Sequence, residues 1–236
     1  MFTRINPDIQ PVQLYPKVER ELSTVKKKGW VKVNGAKLRD NKDLIPQTGF
    51  QESIQTCEAD VIWTGGSASA GKSFCILLEA LRGIGKYGYS GLIIKKELVE
   101  VGTAGGILSD AKRIYSEMKG CEYSASDYSF AWPEYQSSIM LTHINLQSDS
   151  QEKEAQEKMK NKQASYIAID ELTNFTFKIW KYWFSRNRDA SGMKPKMVCT
   201  LNANGWHWSS KMLRTAGYIG DDNYVRPDRV GKIMYM

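Results

Sequence analysis

The run Gly66-Ser67-Ala68-Ser69-Ala70-Gly71-Lys72-Ser73 constrains this chain more than any other stretch. It fits G-x-x-x-x-G-K-[ST] in full. Apolar Val61-Ile62-Trp63, of strand character, leads in, and Ser73-Phe74-Cys75-Ile76-Leu77-Leu78-Glu79-Ala80-Leu81, of helical character, leads out. A loop between such elements turns successive backbone N–H groups inward around a polyphosphate, and the helix start adds its positive end. Gly66, Ser67, Ala68, Ser69, Ala70 and Gly71 therefore read as a nucleotide cradle. Lys72 reads as the ammonium on the terminal phosphates and Ser73 as a hydroxyl ligand to Mg2+. The competing reading, a Gly/Ser-rich surface turn, does not account for the strand before and the helix after.

With 236 residues, 42% hydrophobic and 25% charged, the chain suits one sizeable α/β domain with a small appendage. The formal net charge of +7 makes nucleic acid a candidate partner without locating a groove; a solvated basic face is the other reading. Cys57, Cys75, Cys121 and Cys199 are widely spaced with no C-x-x-C, and the only histidines are His143 and His207. That pattern argues against a disulfide framework or structural zinc and for a reducing compartment. No apolar run reaches membrane-spanning length and no signal-peptide core opens the chain, so the expectation is a cytoplasmic protein without a membrane partner.

Residues 1–45 read as a peripheral lead-in, broken by Pro7, Pro11 and Pro16, with a helix expected from about Pro16 to Lys28. Lys26-Lys27-Lys28 with Trp30, Lys32 and Lys37 is a basic patch holding an aromatic; it suits a phosphate backbone or simply solvent. Residues 46–215 read as the core and 216–236 as an extension. Expected core strands are Val61–Trp63, Gly91–Lys95, Ser129–Trp132, Ser138–Ile144, Tyr166–Ile169 and Lys196–Leu201. Expected helices are Ser73–Ile84, Gly105–Lys119, Gln151–Lys160, Phe177–Arg188 and Trp208–Thr215. The pair flanking Pro133-Glu134-Tyr135-Gln136-Ser137 reads as an antiparallel hairpin added to the sheet.

The complement to the phosphate loop is Tyr166-Ile167-Ala168-Ile169-Asp170-Glu171. A continuously apolar strand ending in a carboxylate places Asp170 to hold Mg2+, through water. Glu171 suits a general base for a water aimed at the γ-phosphorus; a capping Asp beside a solvated Glu is the bland alternative. Adjacent acids favour an ATPase that hydrolyses over a kinase. Guanine recognition finds no support, since Asn41-Lys42-Asp43-Leu44 fails N-K-x-D at its last position. Cys199-Thr200-Leu201-Asn202 ends another apolar strand, where Thr200 and Asn202 suit sensing of the γ-phosphate or positioning of the attacking water. The plainer reading is a strand running into an Asn204-Gly205 turn. Trp206-His207-Trp208 reads as core or interface packing.

Together these stretches resemble the large subunit of the tailed-bacteriophage terminase, in order from Gly49 to Trp208. Gly49-Phe50-Gln51-Glu52 resembles the family's opening, Gly71-Lys72-Ser73 its Walker A end, Ile169-Asp170-Glu171 its Walker B, and Thr200-Leu201-Asn202-Ala203-Asn204-Gly205 its coupling motif. The resemblance implies a P-loop NTPase of the ASCE type, with a central, mostly parallel sheet flanked by helices and an added antiparallel hairpin. It implies ATP and Mg2+ as ligands, and an adenine contact for Gln51. It also implies packaging of double-stranded DNA into a procapsid by a ring, by resemblance of five subunits, that works with a portal protein and a small terminase subunit. The setting would be the host cytoplasm and the procapsid portal vertex.

Two departures stand out. The strand after the phosphate-loop helix ends in Lys95-Lys96 rather than in a pair containing arginine, leaving Lys95, Lys96, Arg82, Arg113, Arg186 and Arg188 as candidates to complete a neighbour's site. And only about thirty residues follow Gly205, too few for the family's nuclease fold, so no DNA cleavage is expected of this chain. The rival readings are a helicase or recombinase-like ATPase on single strands, and a nonenzymatic assembly protein clamped by nucleotide.

Overall fold

The computed structural model describes residues 30–33, 36–39, 46, 50–65, 71–96, 106–116, 118–144, 163–202, 206–218 and 220. A small antiparallel sheet pairs β1 (Trp30–Val33) with β2 (Ala36–Arg39). The rest is organised by a seven-stranded sheet in the order β3-β9-β8-β4-β7-β6-β5. Its strands are β3 (Val61–Gly65), β4 (Ser90–Lys95), β5 (Glu122–Ser124), β6 (Ser129–Trp132), β7 (Ser137–His143), β8 (Tyr166–Ile169) and β9 (Lys196–Leu201). From β3 to β7 every pairing is parallel; β6 and β5 then add two antiparallel strands. The hairpin expected across Pro133–Ser137 is there. Its second strand, β7, is also the fifth member of the parallel set, and β5 extends the antiparallel edge beyond the sequence expectation.

Period-2 alternation divides the apolar residues of the central strands between two cores. Ile93 of β4, Tyr166 and Ala168 of β8 and Val198 of β9 join one core, under α1 (Phe50–Thr56), α2 (Lys72–Ala80) and α3 (Ile107–Tyr115). Leu92 and Ile94, Ile167 and Ile169, and Met197, Cys199 and Leu201 join the other, under α4 (Phe177–Arg186) and α5 (Trp208–Thr215). Helices thus cover both faces, which is why β8 and β9 are buried at every position. On the second face Trp63, Trp180 and Trp208 meet with ring centroids 5.5–5.6 Å apart.

Helix ends fall short of the sequence expectation except in α5, which matches it at both ends. α2 gives way to a 3-10 turn at Leu81–Gly83, and α3 covers Ile107–Tyr115 rather than Gly105–Lys119. The helices expected over Pro16–Lys28 and Gln151–Lys160, and nearly all of the 216–236 extension, lie outside the described residues. Among the described residues no helix is long and apolar enough to cross a membrane. The four cysteines are free thiols.

Tyr115 ties α3 to α2. Its ring meets Phe130 edge-on at 4.9 Å and its hydroxyl donates to the Leu77 carbonyl at 2.9 Å, fully buried. Tyr115→Phe keeps the ring contact and removes only that bond. It should cost about 1 kcal/mol, a fall of roughly 2–4 °C in Tm by circular dichroism for a chain of this size.

Candidate functional site

The alternation that sorts the core also builds the site. Continuing each strand by parity puts Lys95 with Ile93, Asp170 with Ala168, and Thr200 and Asn202 with Val198. All four therefore belong to the face covered by α2, at the carboxyl ends of parallel strands. In an open α/β sheet that is where ligands gather. β9 lies between β3, which leads into the glycine-bounded loop, and the acid-bearing strand β8.

Gly71 precedes α2 in a left-handed conformation, φ 71°, which glycine adopts without strain. A Cβ there would run into Gln51 Nε2, and that amide donates to the Gly71 carbonyl at 3.2 Å. Gln51, only 2% exposed on α1, thus braces the loop's end. Lys72 and Ser73 open α2. Lys72 Nζ donates to Asn202 Oδ1 at 3.1 Å, and Ser73 Oγ donates to Asp170 Oδ2 at 2.9 Å.

Asp170 is the hub. It is 2% exposed, its backbone N–H donates to the Ile94 carbonyl at 2.9 Å, and its Oδ1 accepts from Thr200 Oγ1 at 2.6 Å. The Lys95 ammonium lies 3.2 Å from Oδ2. Thr200 Oγ1 also accepts from the Glu171 N–H at 2.9 Å, so one hydroxyl fixes both members of the acidic pair. Glu171 is left-handed (φ 57°, ψ 55°), a conformation that costs a non-glycine residue on the order of 1 kcal/mol and sends its side chain off the line of the strand. Its Oε2 accepts from Asn174 Nδ2 at 2.9 Å.

The structure therefore brings together Lys72, Ser73, Asp170, Thr200 and Asn202, with Gln51 against Gly71 and Glu171 next to the hub but held on Asn174. Gly66, Ser67, Ala68, Ser69 and Ala70 lie outside the described residues. The arginines are engaged elsewhere. Arg82 pairs with Glu79, Arg113 pairs with Asp110, Arg186 lies over the Tyr182 ring and Arg188 donates to the Ser185 carbonyl. Sequence reasoning left Lys95 among the candidates for a neighbour's site and missed its partner within its own chain. Strand parity gives the face of Lys95 but not its neighbour, which only the sheet order supplies.

Ser73 and Asp170 offer two hard oxygens side by side, which fits a Mg2+ ion completed by phosphate and water. Among the described residues no group of three or more His, Cys, Asp or Glu is placed to hold a metal ion.

The two strand ends are clasped beyond the site. The Phe175 carbonyl accepts from Trp208 Nε1 at 2.8 Å and lies 3.2 Å from His207 Nε2. A proton on Nε2 leaves Nδ1 to accept from the Ser209 N–H at 3.4 Å, capping α5. Burial lowers the His207 pKa from its ordinary value, partly offset by the Phe175 bond, so the neutral ring is favoured. Trp208 joins the tryptophan cluster of the second core, whereas Trp206, two residues earlier, is 86% exposed.

No protein-family model matches the sequence, and no curated protein matches it. Solved structures do. The large terminase of bacteriophage HK97 aligns with a TM-score of 0.55 at 10% identity, over 77% of this chain and 39% of that one. The large-terminase ATPase domain of Thermus phage P74-26 aligns at 0.54 and 13% identity, over 77% and 78%. The N-terminal domain of the DNA packaging ATPase of bacteriophage phi29 aligns at 0.51 and 11% identity, over 77% and 97%. The chain thus spans well under half of the HK97 protein and most of the isolated domains. At such identities what is shared is the fold: this is a P-loop NTPase fold of the ASCE type, built as in the ATPase domains of large terminases.

Proposed function

We propose that this chain is a terminase-type ATPase domain that hydrolyses ATP with Mg2+ to drive double-stranded DNA into a procapsid. The observation that carries the reading is the convergence of Lys72, Ser73, Asp170, Thr200 and Asn202 on one sheet face at the strand ends. Lys72 leaves Asn202 for the terminal phosphates, and residues 66–71 cradle the others through backbone N–H groups. Ser73 and Asp170 would hold the metal, which would supply neutralisation of phosphate charge. Glu171 takes the proton of the attacking water, and Gln51 contacts adenine once nucleotide binds.

Thr200 bonds both acids and Asn202 holds Lys72, so arrival or loss of the γ-phosphate alters the end of β9. The Phe175 clasp carries that change to α4 and α5. The working form in this reading is a ring of five, each site completed by a neighbour's basic residue. Portal protein and small terminase subunit are its partners, in the host cytoplasm and at the portal vertex. DNA is held through its phosphates, in keeping with the basic balance of +7.

The test is phosphate release with duplex or single-stranded DNA. Stimulation by duplex supports the reading, stimulation by single strands alone favours a helicase-like enzyme, and nucleotide bound without turnover favours an assembly clamp. Lys72→Ala should weaken binding of a fluorescent ATP analogue by about 10- to 100-fold, the worth of a charged hydrogen bond to phosphate.

A further inference from the structure

Asp170 Oδ2 faces two donors at once, Ser73 Oγ at 2.9 Å and Lys95 Nζ at 3.2 Å. The arrangement is built rather than incidental. Ile93 pairs with Ala168 and Ile94 with Ile169 across parallel strands, so Lys95 and Asp170 are the next residues in register. The Lys95 side chain is 13% exposed and that of Asp170 1%, which makes this a buried pair rather than a surface one. A carboxylate so enclosed needs a cation or several donors to remain ionised. Yet Oδ2 and the Ser73 oxygen are the two atoms that fit a divalent metal. Lys95 therefore stands where the metal's charge would act.

We propose that Lys95 is a placeholder cation: it neutralises Asp170 while the site is without ligand, keeps out a bare divalent ion, and yields only to metal that arrives with a polyphosphate. This rests on the reading of Ser73 and Asp170 as the metal pair. A bare divalent ion entering here meets the ammonium groups of Lys72 and Lys95, opposed among the described residues of the cluster by the carboxylates of Asp170 and Glu171; like charges at such distances are strongly unfavourable. A triphosphate reverses the balance, because its oxygens take both the metal and the released Lys95 ammonium. Metal and nucleotide then bind as a pair, each strengthening the other as linkage requires.

The decisive measurement is Mn2+ binding by electron paramagnetic resonance to the full chain without nucleotide. Lys95→Gln should bind Mn2+ roughly tenfold or more tightly than wild type, and Lys95→Gln/Asp170→Asn should lose that gain. Equal binding by wild type and Lys95→Gln overturns the proposal. Lys95→Arg keeps the charge and grips Asp170 with two N–H groups. It should need several-fold more Mn2+ than wild type to bind a fluorescent ATP analogue, and an unchanged or lower requirement also overturns the proposal, even where the Gln variant does not fold. Wild type that binds no nucleotide would sink the ATPase reading while the Mn2+ comparison still decides the role of Lys95.

Discussion

Glu171→Gln is expected to bind ATP as wild type does and to release phosphate roughly 10²–10⁴-fold more slowly. Gln keeps the size of the side chain and the oxygen that accepts from Asn174 Nδ2, so the local fold should survive. The Thr200 bond runs to the Glu171 backbone, which the substitution leaves alone. What disappears is the ability to take a proton. Asp170 cannot stand in, because Oδ1 is held by Thr200 and Oδ2 lies against Ser73 in the pair read as the metal ligands, in a site 2% exposed. Glu171 is half-buried and bonded at one oxygen to a residue three positions on, an arrangement that a single rotation undoes. Single-turnover phosphate release beside equilibrium binding of a fluorescent ATP analogue separates the steps. Turnover equal to wild type removes the general-base role.

The strands were legible because their signal is strong and local. Tyr166–Ile169 is apolar at every position and proved a strand with parallel neighbours on both sides. The phosphate-loop pattern located the start of α2 to within a residue, since Gly71 ends a loop in a left-handed turn without strain. The α1 helix and the β1–β2 ribbon were read past for different reasons. The α1 helix has seven residues, too few for a 3.6-residue period to stand out, and its stability comes from packing that sequence does not display. The β1–β2 ribbon sits in a lysine-rich stretch read as a patch, although Asn34-Gly35 between Val33 and Ala36 is a strong hairpin signal in the sequence. The candidate site was legible as separate motifs, and Asp170 and Ser73 do meet. The Lys95–Asp170 pair was not, because only the sheet order sets β4 beside β8.

Neither was the tie that holds the far ends of α2 and β9. Glu79, fully buried on α2, pairs with Lys196 at 2.8 Å at the start of β9 and with Arg82 at the helix's end. Lys196 Nζ also donates to the Cys57 carbonyl at 2.7 Å. Lys196→Met should destabilise the chain by about 3–5 kcal/mol, because Glu79 keeps only Arg82, whose side chain is 38% exposed and draws its charge toward solvent. Glu79→Leu/Lys196→Met should recover most of that loss. Burial lowers the Lys196 pKa from 10.5, and the attraction of Glu79 only partly opposes it, so the fold holds this ammonium less well than water does. A lysine with a depressed pKa costs stability below its folded pKa, and that cost lifts as pH rises toward 10.5. Wild type should therefore gain on the double variant as pH rises toward 10.5, read in urea midpoints. Because the triad lies at the opposite ends of α2 and β9 from Lys72 and Thr200, the double variant should still bind nucleotide. A double variant as unstable as Lys196→Met, with no such pH trend, would mean that the ion pairs contribute net stability rather than a recoverable cost.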